Sequence, residues 1–339
     1  MNISVSLLEK KHFPVMLDEV IQICDPSKKN QLVVDCTFGG GGYSKELLNF
    51  PNIKVIALDR DKSAIERAKE LETKQPNQFT FYNEKFSNLE KIINTDTKAD
   101  VFVFDLGLST FQLQDYSRGF SFKATDKIDM QMGLSDVSAE EVINTLDEVS
   151  LKLVLKILGE EQEANRIVKN IIKARQIKKI KTVSELVKII ESSKKKNYNK
   201  KINVCTKTFQ ALRIFVNKET SELIEGLIKA TRFIKKGGKI IVISFHSIED
   251  KIIKYYFTNY SSSRSNPSRY MPSEDNQKNS FFEKYKNNFL TPSEKEIIKN
   301  PASRSAKLRY ATRTEQPFYY PKEFRDKFKN YLNIENVQT

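Results

Sequence analysis

Short apolar runs alternate with amphipathic stretches through the first third of the chain. The runs at 32–34, 55–58 and 101–104 have the length and composition of buried strands, and an aspartate directly follows each of them. A further short strand is predicted at 79–82, and the residues from 64 to 71 place apolar side chains at helical spacing. Alternating strands and helices predict an α/β fold with a parallel sheet.

The alternation stops between residues 115 and 208, where apolar positions follow helical spacing instead. Helices are predicted at 138–146, 151–158, 160–174 and 182–192, and a low-complexity basic loop at 194–201. We expect an all-helical insertion in the sheet. Its charge runs are also explained by a solvated surface.

The pattern of the first third resumes after residue 208. The sequence predicts a long helix at 209–234, strands at 239–244 and 308–312, and a polar loop at 261–280. The expected organisation is a sheet domain at 1–114, the helical insertion at 115–208, the second part of the sheet domain at 209–315 and a basic, aromatic-containing tail at 316–339.

The chain is strongly basic. Its 339 residues include 57 Lys and Arg against 43 Asp and Glu, a net charge of +14. This excess favours a polyanionic partner, RNA or DNA, over a membrane, with codon bias in an AT-rich genome as the alternative explanation. No apolar run reaches the length of a membrane span and residues 1–11 do not resemble a signal peptide, so we expect a cytoplasmic protein.

Cysteine and histidine are too scarce for a disulfide framework or a histidine-rich metal site. Cys24, Cys36 and Cys205 show no CxxC spacing, and only His12 and His246 are present. We therefore expect no metal cofactor and a reducing compartment.

The strand at 32–34 leads into the stretch with the most distinctive chemistry. Asp35 ends the strand, four glycines occupy 39–42, and Ser44 is predicted to cap the following helix. Glycines at such a turn accept left-handed backbone angles and let the backbone approach a ligand. The arrangement is typical of the first unit of a nucleotide-binding α/β domain.

Asp59 and Asp105 strengthen this interpretation, because each also follows a predicted strand. A carboxylate at Asp59 can accept hydrogen bonds from both ribose hydroxyls. Dinucleotide binding would need a third glycine where Ser44 or Lys45 stands, so S-adenosylmethionine is favoured. The alternative is an ordinary glycine turn beside a surface aspartate. We expect Asp35, Asp59 and Asp105 to converge on one crevice.

An ordered set of motifs from residue 12 to about 313 resembles the RsmH (MraW) family of bacterial rRNA methyltransferases. The matching motifs are His12-Phe13-Pro14-Val15, Asp35-Cys36-Thr37-Phe38-Gly39 with Gly41-Gly42, Asp59-Arg60-Asp61, Asp105-Leu106-Gly107, Gln112-Leu113, Arg118-Gly119-Phe120-Ser121-Phe122, Gly159-Glu160-Glu161, Thr208-Phe209-Gln210-Ala211-Leu212-Arg213-Ile214, Ser244-Phe245-His246-Ser247-Ile248-Glu249-Asp250, Asn300-Pro301 and Arg304-Ser305-Ala306-Lys307-Leu308-Arg309.

The resemblance implies a class I (Rossmann-like) S-adenosylmethionine-dependent methyltransferase sheet with an inserted all-helical substrate domain. The implied activity is methyl transfer to N4 of a cytidine in the decoding region of 16S rRNA. The implied partner is the small ribosomal subunit with its 16S rRNA, and a homodimer is left open. Cofactor contacts carried over by motif are Gly41, Gly42, Tyr43, Asp59, Phe86, Asp105 and Gln112.

Three positions depart from the family's motifs. Tyr43 stands in place of a histidine, Gln131 in place of an arginine, and Asn203 begins a stretch where the family has His-Pro-Ala-Thr-Arg-Thr. These departures affect the expected substrate contacts more than cofactor binding.

An exocyclic amine is a poor nucleophile, so transfer to it needs hydrogen-bond acceptors around the nitrogen. We expect Asp105 and Ser109 to supply them. His246 is a second candidate, as proton acceptor or as orienter of the base, and a histidine satisfied by a strand-end hydrogen bond is an equal alternative. For rRNA contacts we expect Arg118, Lys207 and Arg213.

Two other functions compete with this hypothesis. A DNA amino-methyltransferase typically carries an Asp/Asn-Pro-Pro-aromatic motif where this chain has Asp105-Leu106-Gly107-Leu108, which argues against it. A non-catalytic ribosome-assembly factor that retains the fold stays open. Methylation at a carbon would need a cysteine nucleophile, and Cys205 in the insertion is the residue to test.

Overall fold

The computed structural model describes residues 14–27, 30–194, 203–262 and 280–338. His12 and Phe13 of the first motif, most of the predicted basic loop at 194–201 and most of the predicted polar loop at 261–280 lie outside the described residues.

A six-stranded sheet forms the centre of the structure, with strand order β3-β2-β1-β4-β5-β6. The strands are β1 Gln31–Asp35, β2 Ile53–Leu58, β3 Phe79–Tyr82, β4 Ala99–Asp105, β5 Ile234–Ser244 and β6 Lys307–Thr312. The first five strands pair in parallel, and β6 pairs antiparallel with β5. The order reverses between β1 and β4, which is where a ligand binds in an open α/β sheet. The α/β fold predicted from the sequence is confirmed.

Helices flank the sheet and fill the segment between β4 and β5. They are α1 Leu17–Cys24, α2 Gly42–Leu47, α3 Ala64–Lys74, α4 Thr110–Gln114, α5 Ala139–Thr145, α6 Glu148–Leu153, α7 Ala164–Ile177, α8 Val183–Ser193, α9 Thr206–Asn217, α10 Glu219–Phe233, α11 Ser247–Asn259, α12 Glu294–Lys299, α13 Lys322–Lys327 and α14 Lys329–Glu335. Helices α5 to α8 confirm the helical character of the insertion. No helix among the described residues combines the length and apolarity needed to cross a bilayer.

The insertion shares a hydrophobic core with one face of the sheet. Phe102 and Phe104 of β4 belong to the same buried cluster as Val142 of α5 and Leu212 of α9. A second cluster on the opposite face contains Met16 and the other apolar residues that α1 to α3 pack onto the sheet. Helix α9 spans the predicted boundary at 208, so the insertion continues into the sheet domain without a break in packing.

The prediction of one long helix at 209–234 was wrong, because the chain turns between α9 and α10. Lys218 takes a left-handed conformation with φ 50°, and this single residue separates the two helices. The preceding Asn217 stabilises the turn: its Oδ1 accepts from the Met132 N–H at 2.8 Å and its Nδ2 donates to the Met130 carbonyl at 2.7 Å. Both helices are amphipathic, so their hydrophobic pattern runs through the break unchanged.

The predicted C-terminal tail is a packed part of the fold. Phe324 and Phe328 are buried, and Phe324 lies 4.4 Å, between ring centroids, from Tyr256 of α11. Glu335 accepts hydrogen bonds from the Thr220 and Ser221 N–H groups, both at 2.9 Å. A carboxylate at the first turn of α10 satisfies free N–H groups and complements the helix dipole.

Candidate functional site

A crevice opens at the carboxyl edge of the sheet, above the β1–β4 switch point, and the glycine turn forms one of its walls. Gly39 has φ 53°, and its N–H donates to Asp59 Oδ2 at 2.7 Å. Its carbonyl accepts from Arg67 Nε at 3.1 Å. These bonds tie the turn to the ends of β2 and α3, so the backbone facing the crevice is fixed.

Gly41 and Gly42 are needed in the turn for different structural reasons. Gly42 lines the crevice, and a Cβ there would lie 2.8 Å from Cγ of Pro14. Gly41 has φ 74° and faces Phe38, whose Cζ would lie 2.7 Å from an added Cβ. Gly41 is not among the residues that line the crevice, so its glycine is needed for the turn itself.

Ser44 does not cap α2, contrary to the sequence prediction. The helix begins earlier, at Gly42 with Gly41 as its N-cap, and Ser44 is inside it. The Ser44 hydroxyl donates instead to Asp35 Oδ2 at 2.7 Å, and Thr37 N–H donates to Asp35 Oδ1 at 3.2 Å. Asp35 is completely buried beneath the turn, where burial raises its pKa to about 6. The predicted convergence of three aspartates is therefore wrong for Asp35 and correct for Asp59 and Asp105.

Asp59 lines the crevice. Its two oxygens accept from the Gly39 and Asp61 N–H groups, at 2.7 and 2.8 Å. Each carboxylate oxygen has a second lone pair, so Asp59 can still accept from a ligand. Burial raises its pKa to about 6.

Asp61 joins the crevice to the start of the insertion. Its Oδ2 accepts from Gln112 Nε2 at 2.7 Å and from Arg118 Nη1 at 2.5 Å. Despite burial, the hydrogen bonds from Arg118, Ser63 and Gln112 lower the pKa of Asp61. Arg118 also donates to the Gln131 carbonyl at 2.6 Å. The predicted rRNA contact Arg118 thus holds the insertion against the loop that follows β2.

Arg60 makes a second link of the same kind. Its guanidinium donates to the carbonyls of Gly133 and Asn217, both at 2.8 Å. Gly133 has φ 97° and lies so close to the Arg60 backbone that a Cβ would collide with it. The crevice and the insertion are therefore positioned by a common set of contacts.

Phe86 is one of the apolar residues that line the crevice. It begins a short 3₁₀ turn, Phe86–Lys91, and its ring stands edge-on to Phe104 with centroids 5.4 Å apart. Gly226 of α10 packs beneath the ring, where a Cβ would lie 2.6 Å from Cδ2 of Phe86. The glycine lets Phe86 lie close to α10, as a platform beside the crevice.

Asp105 is the second aspartate of the crevice and differs from Asp59 in its hydrogen bonding. Its Oδ2 lies 3.2 Å from the Tyr43 hydroxyl, which also donates to the Val15 carbonyl at 2.5 Å. Its Oδ1 is buried and has no hydrogen-bond partner among the described residues. Burial, together with the nearby Asp35, Glu249 and Glu296, raises the pKa of Asp105 to about 8. Tyr43, which stands where the family's motif has a histidine, thus contacts the candidate catalytic residue Asp105 directly.

Ser109 and Gln112 line the crevice and build the loop after β4. Ser109 is the N-cap of α4: its Oγ accepts from the Gln112 N–H at 3.2 Å, and Gln112 Oε1 accepts from the Ser109 N–H at 2.9 Å. Because Gln112 Nε2 also donates to Asp61, both the oxygen and the nitrogen of the Gln112 side-chain amide are hydrogen-bonded within the protein.

His246 and Arg213 lie behind the crevice lining. His246 is the N-cap of α11, and its Nε2 lies 3.0 Å from Glu249 Oε1. Arg213 donates to both oxygens of Glu219 at 2.8 Å. Glu219 and Glu249 line the crevice, whereas Arg213 and His246 do not. The Nδ1 of His246 accepts from the Glu249 N–H at 3.5 Å, but its buried Nε2 makes no well-aligned hydrogen bond among the described residues, so both alternatives for His246 stay open. The predicted substrate contact Arg213 is turned toward a carboxylate.

Glu219, His246 and Glu249 also place three metal-ligand atoms within 4.8 Å of one another. Arg213 already occupies both oxygens of Glu219, so this group is an internal charge network.

The remaining predicted residues lie in the insertion. Lys207 is exposed, and its ammonium donates to the Glu160 carbonyl at 2.8 Å. Cys205 is buried away from the crevice lining, and burial raises its pKa to about 11. A buried thiol with a raised pKa is a poor nucleophile.

Several lining residues were not singled out from the sequence, among them Asp61, Glu222 and Arg67. Asp61 was visible only as part of a motif, and Glu222 is one acid among several on an amphipathic helix, with no distinguishing signal. Arg67 lines the crevice, and its guanidinium carbon lies 4.3 Å from the ring centroid of Phe111. That contact joins α3 to α4, a long-range pairing that local spacing does not reveal.

Comparison with known proteins agrees with the geometry. The model of the MraW methylase family matches residues 9–314. The chain is 40% identical to the Ribosomal RNA small subunit methyltransferase H of Ehrlichia canis, over 88% of this chain and 98% of that protein. It is 40% identical to the protein of the same name from Bartonella bacilliformis, over 90% and 91%, and 38% identical to that of Orientia tsutsugamushi, over 90% and 99%.

Among solved structures, a putative rRNA-methylase from Clostridium thermocellum aligns with a TM-score of 0.40 and 14% identity, over 89% of this chain and 100% of that chain. A putative methyltransferase from Streptococcus mutans in complex with SAH aligns with a TM-score of 0.38 and 9% identity, over 87% and 97%. At these TM-scores the likeness carries no argument about the site.

The family match covers nearly the whole chain, and the curated relatives are matched over almost their full length. Together with the sheet order and the glycine-turn crevice, these matches show that the chain belongs to the MraW methylase family, a family of S-adenosylmethionine-dependent methyltransferases.

Proposed function

We propose that this chain transfers the methyl group of S-adenosylmethionine to N4 of a cytidine in the decoding region of 16S rRNA, on the small ribosomal subunit. The curated relatives carry the name Ribosomal RNA small subunit methyltransferase H, which supports the rRNA substrate. The observation that carries the amine chemistry is Asp105, a carboxyl group with one buried oxygen that has no partner among the described residues.

The crevice suits the charge of this cofactor. When bound, S-adenosylmethionine supplies an electrophilic methyl group on a positively charged sulfonium, and it also carries an ammonium. Seven carboxyl groups line the crevice among the described residues, and three of them, Asp61, Glu84 and Glu219, are in ion pairs. The other four are Asp59, Asp105, Glu222 and Glu249. Such a surface attracts a cationic ligand.

Individual residues fit the parts of the cofactor. The free lone pairs of Asp59 suit the two ribose hydroxyls, and the exposed face of Phe86 suits adenine. The Gly39 and Gly42 backbone, with Tyr43, forms the wall next to Asp105 and suits the methionine part. Gln112 acts indirectly, by holding Asp61 and the loop after β4.

In the proposed reaction, Asp105 accepts a hydrogen bond from the amine of the cytidine. The lone pair of that nitrogen is delocalised into the ring, so an acceptor on its hydrogens helps it to become tetrahedral. In general, holding two reacting groups in line can supply about 7–11 kcal/mol of a barrier reduction. A cationic ligand bound beside Asp105 would lower the pKa of this carboxyl and so would favour its ionised form. The Ser109 side chain lies on the same loop as a second acceptor.

His246 acts through Glu249 as a positioning residue. Glu249 Oε2 accepts from the Phe245 N–H at 2.8 Å, and Phe245 and Glu249 both line the crevice. With His246 against its other oxygen, the Glu249 carboxylate is held in one orientation.

The substrate reaches this site only if the target base leaves its stack. The insertion, joined to the crevice through Arg118 and Arg60, is the surface proposed to recognise the shape of folded RNA. Of the three residues predicted from the sequence to contact rRNA, Lys207 is the exposed one, and we propose that it contacts a phosphate.

Methyl transfer from labelled S-adenosylmethionine to purified small subunits tests this function. Subunits from cells lacking the gene should accept label in the RNA fraction, and subunits from cells that contain it should not, because their site is already methylated. Binding to the subunit without transfer of label would replace the proposal with the assembly-factor alternative.

A further inference from the structure

Glu222 is a buried carboxylate for which the proposed reaction has no use. It lies on α10, exposes only 9% of its surface and lines the crevice. Its Oε2 is buried and has no hydrogen-bond partner among the described residues. Leaving a buried acceptor unsatisfied is costly, and more so for a charged group. The position therefore calls for a donor from a ligand.

The other acids on this side of the crevice are already satisfied. Glu84 accepts from the Lys85 N–H and the Asn88 side chain, both at 2.9 Å, and pairs with Lys91 at 3.1 Å. Glu219 is paired twice with Arg213. The nearby cation Arg60 donates to backbone carbonyls rather than to Glu222.

The position of Glu222 on α10 relates it to the adenine platform. Gly226, which packs beneath Phe86, is four residues further along the same helix. Residues four apart lie on one face of a helix, about 5–6 Å from each other. Leu223, adjacent to Glu222, also lines the crevice. A purine lying against Phe86 therefore has Glu222 beside its edge.

We propose that Glu222 accepts a hydrogen bond from the N6 amine of the cofactor's adenine and so selects adenosyl over other purine nucleosides. Adenine carries one hydrogen-donating group that is free in a nucleoside, the N6 amine, and a carboxylate accepts from it. A 6-oxo purine presents an acceptor at that position, which would face the carboxylate unfavourably. The inference rests on the crevice being the cofactor site of the proposed function.

Calorimetry on the full-length protein without RNA tests this selection. We expect the wild-type protein to bind S-adenosylhomocysteine about 10- to 100-fold more tightly than S-inosylhomocysteine, the difference expected when a hydrogen bond to a charged group is lost. In Glu222→Gln the ratio should fall to about one, because the amide can turn its NH₂ toward a 6-oxo group.

Glu84→Gln is the matched control, since Glu84 lies in the same crevice with its oxygens already occupied. It should keep the wild-type ratio. A wild-type protein that binds the two nucleosides equally, a Glu222→Gln protein with the wild-type ratio, or a ratio that collapses only in Glu84→Gln would overturn the inference. A wild-type protein that does not discriminate overturns the inference even if a variant does not fold.

The same measurement separates the inference from the proposed function. If the wild-type protein binds neither nucleoside, the crevice is not the cofactor site and the proposed function fails. If it binds both but does not discriminate, only the role of Glu222 fails. A cytidine amine as the true donor to Glu222 would give equal binding of the two nucleosides, and so counts against the inference.

Discussion

The crevice and the helical insertion use their charged side chains in opposite ways. In the crevice, Asp105 and Glu222 each keep one buried oxygen without a partner among the described residues. In the insertion and at its edge, Arg118, Arg213 and Lys194 are paired with carboxylates inside the protein, with the Lys194–Glu161 pair at 2.6 Å. The crevice lining thus keeps two carboxylate oxygens without a partner in the described part of the chain, whereas these three cations are used to hold the insertion and its edge in place.

This difference limits what the net charge of a basic sequence indicates about its partner. A net charge of +14 indicates an anionic partner, but it does not say which cations are free to meet it. Arg118 carries two hydrogen bonds to the interior and Lys207 is exposed, although both appear as basic residues of one segment. Substitutions in the crevice and in the insertion test this difference in the use of charged side chains.

The largest effect is expected for Asp105→Asn. The amide keeps the size of the side chain but cannot take the developing charge on the amine, so the rate of methyl transfer should fall about 10²- to 10⁴-fold. Single-turnover assays with labelled cofactor measure it. Asp35→Asn is the control, because Asp35 is also buried at a strand end but lies outside the crevice lining. A folded Asp105→Asn protein with the wild-type rate would contradict the assigned role.

Arg118→Ala should destabilise the fold by about 3–5 kcal/mol, since it leaves the buried carboxylate of Asp61 without its ion-pair partner. Denaturant unfolding measures the free-energy change. Lys123→Ala, at an exposed cation of the same segment, should stay within about 0.5 kcal/mol of wild type. If instead Arg118→Ala left stability unchanged and weakened only RNA binding, the insertion would use this cation as the sequence predicted.

Asp59→Asn should weaken cofactor binding about 10- to 100-fold, because hydrogen bonds from ribose hydroxyls to a charged acceptor are lost. Calorimetry with S-adenosylmethionine measures the affinity, with Asp96→Asn on an exposed loop as the control. Unchanged affinity in a folded Asp59→Asn protein would remove Asp59 from the cofactor site.

Lys207→Ala should lower RNA affinity modestly and reduce the slope of log K against log[salt] by about 1, since one fewer phosphate contact releases fewer counterions. Filter binding to small subunits over a salt series measures the slope, and cofactor affinity should not change. Lys69→Ala on α3 is a control outside the insertion. An unaltered slope would show that Lys207 belongs to a solvated surface.

The smallest effect concerns the pH dependence of stability. The folded protein keeps a proton on Asp105 until its pKa of about 8, whereas the unfolded chain releases it near 3.8. The folded state thus binds more protons between these values, so the stability of the cofactor-free protein falls as pH rises. Asp35 and Asp59, with pKa values of about 6, and Glu335, at about 7, contribute to the earlier part of this fall.

Asp105→Asn should therefore flatten the decline in melting temperature between pH 7 and 8 (roughly the window set by a pKa near 8). Thermal unfolding of the cofactor-free proteins at several pH values measures it. An equal decline in both proteins would show that Asp105 is ionised throughout this range.

The sequence predicted the elements that local patterns specify. Strands at 32–34 and 101–104 were visible because buried parallel strands are continuous apolar runs, and the aspartates after them followed from the same pattern. The ends of elements were less visible. Helix α2 begins at Gly42, where a left-handed Gly41 starts it without a side-chain cap, so Ser44 was free to bind Asp35 instead.

What the sequence could not give are contacts between distant segments. The break at Lys218 depends on Asn217 bonding to residues of the insertion, and the last helix depends on Glu335 meeting the start of α10. Glu222 became a candidate only because Phe86, from a loop far away in the chain, packs on the same face of α10. Such pairings have no local sequence signal, since they are decided by packing.

The most direct test of the central claim is the identity of the methylated nucleoside. Small-subunit rRNA from cells with and without this gene is digested, and the nucleosides are compared by mass spectrometry. We predict the loss of one monomethylcytidine whose methyl group is on N4, and its recovery with the wild-type gene but not with Asp105→Asn. A lost methyl group on carbon 5 or on adenine, or identical nucleosides in both strains, would contradict it.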